Sequence, residues 1–84
     1  MLLVAQIRAA RALIGWTAKD LAGASKVGIT TIRKIEVQEG LARAQERTIE
    51  DIRRAFEAAG VEFIGTPNEG PGVRLRVLKK LAEI

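Results

Sequence analysis

The side chains best placed to do chemistry here are Ile29, Thr30, Arg33 and Lys34, which share one face of a short helical segment opposite Ile32 and Ile35. A hydroxyl, a guanidinium and an ammonium beside a branched apolar group suit phosphate oxygens and the base edges of a DNA major groove. Catalysis finds much less to work with. The chain contains no Cys and no His, which excludes disulfides, thiolate chemistry and the usual zinc sites. Glu50 and Asp51 adjoin in sequence but diverge on a helix, so they cannot share a proton. The Gly65–Gly72 stretch lacks the Lys-Ser/Thr ending of a phosphate-binding loop and leads into a strand. No enzyme activity, metal or cofactor is expected.

These residues must be positioned by what precedes them. Thr17 and Asp20 form a capping-box pattern, with Asp where Glu or Gln is commoner. Leu21, Ala22 and Ser25 fall on one face of the helix so started, and Val27 sits in the turn that follows. Upstream, Leu3, Ile7, Ala10 and Ile14 recur with helical spacing, which predicts a helix over 2–14 ended by Gly15. Trp16 is expected to cover the seam between the first two helices, with stacking on a nucleotide as the alternative.

Residues 38–47 show no strong periodicity and read as a linker, with room for one helical turn. Thr48 and Asp51 repeat the capping pattern and predict a helix over 49–59 with Ile49, Ile52, Phe56 and Ala59 inward, stopped by Gly60. Arg53 and Arg54 lie on its outer side within reach of Glu50 and Glu57. The period then changes. Val61–Ile64 and Val73–Val77 are strand-like runs around the loop 65–72, an antiparallel hairpin whose second run alternates Val73, Leu75 and Val77 with Arg74 and Arg76. Leu78, Leu81 and Ile84 form a final apolar stripe that predicts a short tail helix. A lone hairpin is marginal in water, so it either closes its own core or pairs with a second copy through Phe63, Val73, Leu75, Val77, Leu78 and Leu81.

The run Ile14-Gly15-Trp16-Thr17-Ala18, followed by Leu21-Ala22, Lys26-Val27-Gly28, Thr31-Ile32 and Ile35-Glu36, resembles the helix-turn-helix of the Cro-like, phage-repressor (XRE) family. Gly-Val-Glu-Phe-Ile at 60–64 and Gly-Val-Arg-Leu at 72–75 extend the resemblance to small proteobacterial regulators of that type. It implies a mainly α, four-to-five-helix, lambda-repressor-like DNA-binding domain over 1–60, with a C-terminal β-hairpin and tail helix over 61–84 for dimerisation. It also places Ile29, Thr30 and Lys34 toward bases, with Arg33 gripping phosphate or, less often, a base. Thr17, Lys19, Lys26, Thr31 and Arg43 are then either DNA-backbone contacts or simply solvated. Arg11 and Glu36 match a structural ion pair between the first and third helices, and Arg11 could also touch a phosphate. Three positions depart from the family pattern. Ala18 stands where Gln is usual, Lys26 replaces the turn Gly, and Gly28 replaces a Ser or Thr cap.

Charge fits this reading. The net charge is +4, and over residues 1–35 Arg8, Arg11, Lys19, Lys26, Arg33 and Lys34 face Asp20 alone, whereas residues 36–72 are acidic. The opening Met-Leu-Leu-Val-Ala lacks a preceding basic segment and is soon interrupted by Gln6, Arg8 and Arg11, so no signal peptide or membrane span is expected. The expectation is a cytoplasmic homodimer that binds double-stranded DNA at an inverted-repeat operator. So small a chain leaves no room for a ligand-sensing domain, and repression by occlusion needs nothing beyond binding. The departures at Ala18, Lys26 and Gly28 keep a second reading open, an antitoxin or anti-activator whose partner is a protein such as a toxin, an activator or polymerase.

Overall fold

A computed structural model describes residues 2–37 and 43–76. Among them are four helices, α1 (Val4–Ile14), α2 (Ala18–Ser25), α3 (Ile29–Ile35) and α4 (Glu46–Ala58), followed by an antiparallel hairpin of β1 (Val61–Thr66) and β2 (Glu69–Leu75). The molecule is mainly helical. No helix among the described residues is long and apolar enough to cross a membrane. The expected tail helix, with Val77, Leu78, Leu81 and Ile84, lies outside the described residues, as do positions 38–42 of the expected linker.

Each helix ends for a local reason. Gly15 closes α1 at φ +68°, where the Gly15 amide donates to the Ala12 carbonyl and the Trp16 amide to the Arg11 carbonyl, a Schellman closure. Thr17 opens α2 through the reciprocal pair foreseen in the sequence. The Asp20 amide donates to Thr17 Oγ1 at 3.0 Å, and the Thr17 amide donates to Asp20 Oδ2 at 2.9 Å. At the other end of α2, Ser25 Oγ donates back to the Leu21 carbonyl and accepts from the Val27 amide. The capping pattern at Thr48 and Asp51 does not form. Instead α4 starts at Glu46 after Gln45, which makes no side-chain cap. Ala44 packs on the core and brings the chain into helix early, with Glu46 placed favourably at the positive end of the helix dipole.

The core is formed by Leu2, Ile7, Ala10, Leu21, Ile32, Ile35, Ile52, Ala55, Phe56 and Val61. Phe56 is its hub. Trp16 stacks on it at 5.4 Å between ring centroids, and Phe63 meets it edge-on at 5.8 Å. Fully burying a side chain of this size stabilises by about 1.5–3 kcal/mol, so α4, packed on α2, which in turn packs on α3, holds two short helices that bury little themselves. On the outer side of α4, Arg53 and Arg54 both reach Glu50, at 3.7 and 3.6 Å, rather than dividing between Glu50 and Glu57.

The hairpin departs from its expected outline. Glycines and prolines at 65–72 predict a long loop, yet the strands continue through it to a turn at Pro67-Asn68, with Thr66 opposite Glu69. Gly65 and Gly70 make this possible. Both have positive φ, and the register shifts between Ile64 and Thr66, so the extra backbone is absorbed as an irregularity in the ladder. Pro71 is tolerated because each strand of a two-stranded sheet keeps one edge that needs no amide donor.

Candidate nucleic-acid interface

The segment α2–turn–α3 is held from behind and open in front. Ile32 and Ile35 are buried, while Thr30, Thr31, Arg33 and Lys34 are exposed and Ile29 is half-buried. A seven-residue helix with no side-chain cap at Gly28 has little stability of its own. Its order comes from the two isoleucines and from its C-terminal end, which α1 secures.

That anchorage centres on Glu36, which is 6% exposed. Arg11 donates from Nε and Nη2 to the two carboxylate oxygens, at 2.9 and 2.7 Å, and from Nη1 to the Trp16 carbonyl at 3.2 Å. Arg8 donates to the Glu36 backbone carbonyl, one of the acceptors that the end of α3 leaves unsatisfied. A carboxylate at a helix C-terminus meets the negative end of the dipole, and the guanidinium pair offsets that cost. Arg11 is thus spoken for by three hydrogen bonds. The resemblance pointed to Arg11 and Glu36 but not to Arg8. The signal was present, because Arg8 lies three residues before Arg11 and so on the same face of α1.

The turn carries the one non-glycine residue of positive φ among the described residues. Lys26 caps α2 at φ 60°, ψ 27°, in the left-handed region, where the family pattern has glycine. A side chain in this region costs about 1–2 kcal/mol. Gly28, with φ −58° and ψ 144°, leads into α3, and the Ile32 amide donates to its carbonyl. The expected backbone contacts Thr17, Lys19, Lys26 and Arg43 are exposed like Thr31, whereas Ala18, which stands in the place of the pattern's Gln, packs against the core. Thr17 Oγ1 is already used in the cap of α2. Asp20, beside Lys19, has its carboxyl held below the ordinary aspartate range, chiefly by the Thr17 amide that donates to it.

The apolar residues offered for an interface between copies are used in part within the chain. Phe63 and Val73 are half-buried against the chain's own core, because Val61, Phe63, Val73 and Leu75 share one face of the hairpin and that face lies inward on α1 and α4. Leu75 is half-buried at the open end of the hairpin, outside the core cluster. The opposite face carries Glu62 and Arg74, joined at 2.7 Å, and Ile64 over Gly72. Val77, Leu78 and Leu81 lie outside the described residues.

In the sequence Gln6 reads only as an interruption of the apolar start. It is 4% exposed, and its Nε2 donates to the carbonyls of Ile64, at 3.2 Å, and Gly72, at 3.0 Å. Its position three residues after Leu3 and one before Ile7, on the inward face of α1, was the available sign. Among the described residues no group of acidic or other ligating side chains could hold a metal ion. A scan against protein-family models finds no match, and neither curated proteins nor solved structures include a relative that the chain matches.

Proposed function

We propose that this protein is a dimeric, sequence-specific DNA-binding regulator, a repressor by occlusion, which reads a major groove with α3. The observation that carries the reading is the exposed face of α3, where Thr30, Arg33 and Lys34 stand clear of the core while Ile32, Ile35 and Glu36 fix the helix from behind. Preorganisation of this kind is what base reading demands, since a side chain that must be ordered on binding forfeits part of its contact energy. In this reading Lys34 donates to guanine O6 and N7, Thr30 bonds a base edge, Ile29 covers a thymine methyl and Arg33 holds a phosphate. Thr17, Lys19, Lys26, Thr31 and Arg43 supply further backbone contacts. Two copies join through the free hairpin edges, Leu75 and the segment beyond it, and so match a two-fold operator.

The test is binding to duplexes from the protein's own genomic neighbourhood against random competitor, across a salt series. Specific binding that survives competitor, with log affinity falling linearly in log salt, supports the reading. Thr30→Ala with Lys34→Ala should abolish the preference and leave non-specific affinity within a few fold. Binding that competitor erases for the parent protein overturns DNA reading and turns attention to a protein partner.

A further inference from the structure

We propose that Gln6 is a positioning residue that sets the separation of the two α3 helices in the dimer, and with it the half-site spacing the protein accepts. This rests on the DNA-reading function above and deepens it.

The carboxamide of Gln6 is fully committed. Its Oε1 accepts from the Leu3 amide at 2.9 Å, and its Nε2 donates to the carbonyls of Ile64 and Gly72. Ile64 and Gly72 face one another across the hairpin, so one amide group holds both strands to α1 at the same rung. The apolar contacts of Val61, Phe63 and Val73 keep the hairpin against the core, but apolar contact is non-directional and tolerates sliding and rocking. The two amide hydrogen bonds are directional and fix the angle.

The same helix fixes α3. Arg8 and Arg11, two and five residues beyond Gln6, bind the carbonyl and the carboxylate of Glu36. Thus α1 is a rigid bar with the hairpin hydrogen-bonded near one end and α3 near the middle. When two copies join through their hairpins, the geometry from one α3 to the other runs across this bar twice. Half-sites on DNA lie about 34–36 Å apart over 10–10.5 base pairs, so inserting one base pair moves a half-site by about 3.4 Å and rotates it by about 35°. A hairpin held to less play than that accepts one spacing. One held only by apolar contacts accepts several. A simple core filler at position 6 would need no amide, and a fully satisfied buried polar group confers a unique arrangement more than it confers stability.

The absence of cysteine allows a single spin label, introduced by Glu57→Cys at an exposed position of α4 away from the proposed contacts. Pulsed electron spin resonance then measures the label-to-label distance in the dimer without DNA. In parallel, affinities are measured for the selected operator and for versions with one base pair added to or removed from the spacer. The parent should give a narrow distance distribution and at least tenfold preference for one spacing. Gln6→Met, equal in length but without donors, should broaden the distribution and cut the preference below threefold, with affinity for an isolated half-site unchanged. A narrow distribution and intact preference in Gln6→Met overturn the proposal and leave DNA reading standing. A parent without any label-to-label distance is a monomer and overturns it at the dimer. A parent that discriminates no sequence overturns the DNA reading itself. If Gln6→Met does not fold, Gln6→Asn, one methylene too short to span both carbonyls, carries the same comparison.

Discussion

Arg11 spans both carboxylate oxygens of Glu36 across 25 residues of chain, and in doing so ties the end of α3 to α1. The Glu36 side chain is 8% exposed and the Arg11 side chain 23%, so removing the cation strands a nearly buried anion at the negative end of a helix. Arg11→Met should therefore lower stability by about 3 kcal/mol. Glu36→Gln, which keeps acceptor and donor atoms in place, should lose about half as much. Chemical denaturation of Arg11→Met, Glu36→Gln and the double variant that combines them closes a double-mutant cycle. Additive losses would show that the pair contributes no coupling.

Two glycines give opposite expectations for the same substitution. Gly65 has φ +75°, and a Cβ there would lie 2.3 Å from the Gly70 carbonyl oxygen, a backbone atom with little room to give way. Gly65→Ala should lose about 2–4 kcal/mol or shift the hairpin register. Gly23, in the middle of α2, has open space around its Cβ position. Gly23→Ala should gain about 0.8–1 kcal/mol from helix propensity alone. Thermal melts of the two variants decide both.

Lys26 invites a test that separates folding from binding. Its left-handed backbone is strained for a lysine, so Lys26→Gly should raise stability by about 0.5–1 kcal/mol, the relief of strain being offset in part by a freer unfolded chain. If the ammonium holds a phosphate in the proposed complex, the same variant binds DNA more weakly and its salt slope falls by about 1. A stabler protein with an unchanged slope would assign Lys26 to solvent.

What could be read from the chain follows from how local the cause was. The Thr17–Asp20 cap and the Gly15 stop are decided within four or five residues, and the sequence shows both. The start of α4 was misread because Thr48 and Asp51 make a sound local signal that packing of Ala44 overrides two residues upstream. The hairpin was drawn too short because Gly65 and Gly70 look like loop until their part in a register shift is known. Phe63 and Val73 stay open in the sequence between the chain's own core and a second copy, because alternation names the apolar face of a strand but not the surface it meets. The roles of Gln6 and Arg8 were missed for the same reason, since their partners lie 58 and 28 residues away.

Asp20 makes the cap of α2 sensitive to acid. Its carboxyl titrates below the ordinary aspartate value of 3.8, mainly because it accepts a hydrogen bond from the Thr17 amide. A depressed folded value means the stabilisation is present above 3.8 and disappears as pH falls through the lowered value. Asp20→Asn should be less stable than the parent at neutral pH, and the gap should close in acid. A gap of constant size from pH 7 to pH 2 would remove the charged cap from the account.

Gln6→Glu should give the opposite dependence. The introduced carboxyl would sit in the same buried place, facing the carbonyl oxygens of Ile64 and Gly72, which are acceptors only. Ionised, it keeps the Leu3 amide as its one donor and meets two like partial charges without water, whereas protonated it also donates to one of the two carbonyls. Its folded pKa must then lie above the ordinary glutamate value of about 4.3. A raised value in the folded state places full stability below about pH 4.3, lost as pH rises through the shifted value. The variant should be within about 1–2 kcal/mol of the parent near pH 4 and lose at least a further 2 kcal/mol by pH 7. Gln6→Leu, which cannot titrate, should show a smaller loss that is level with pH over the same range. Were Gln6→Glu as stable at pH 7 as at pH 4, water would have to reach the carboxyl, and the two carbonyl bonds of Gln6 could not be what fixes the hairpin to α1.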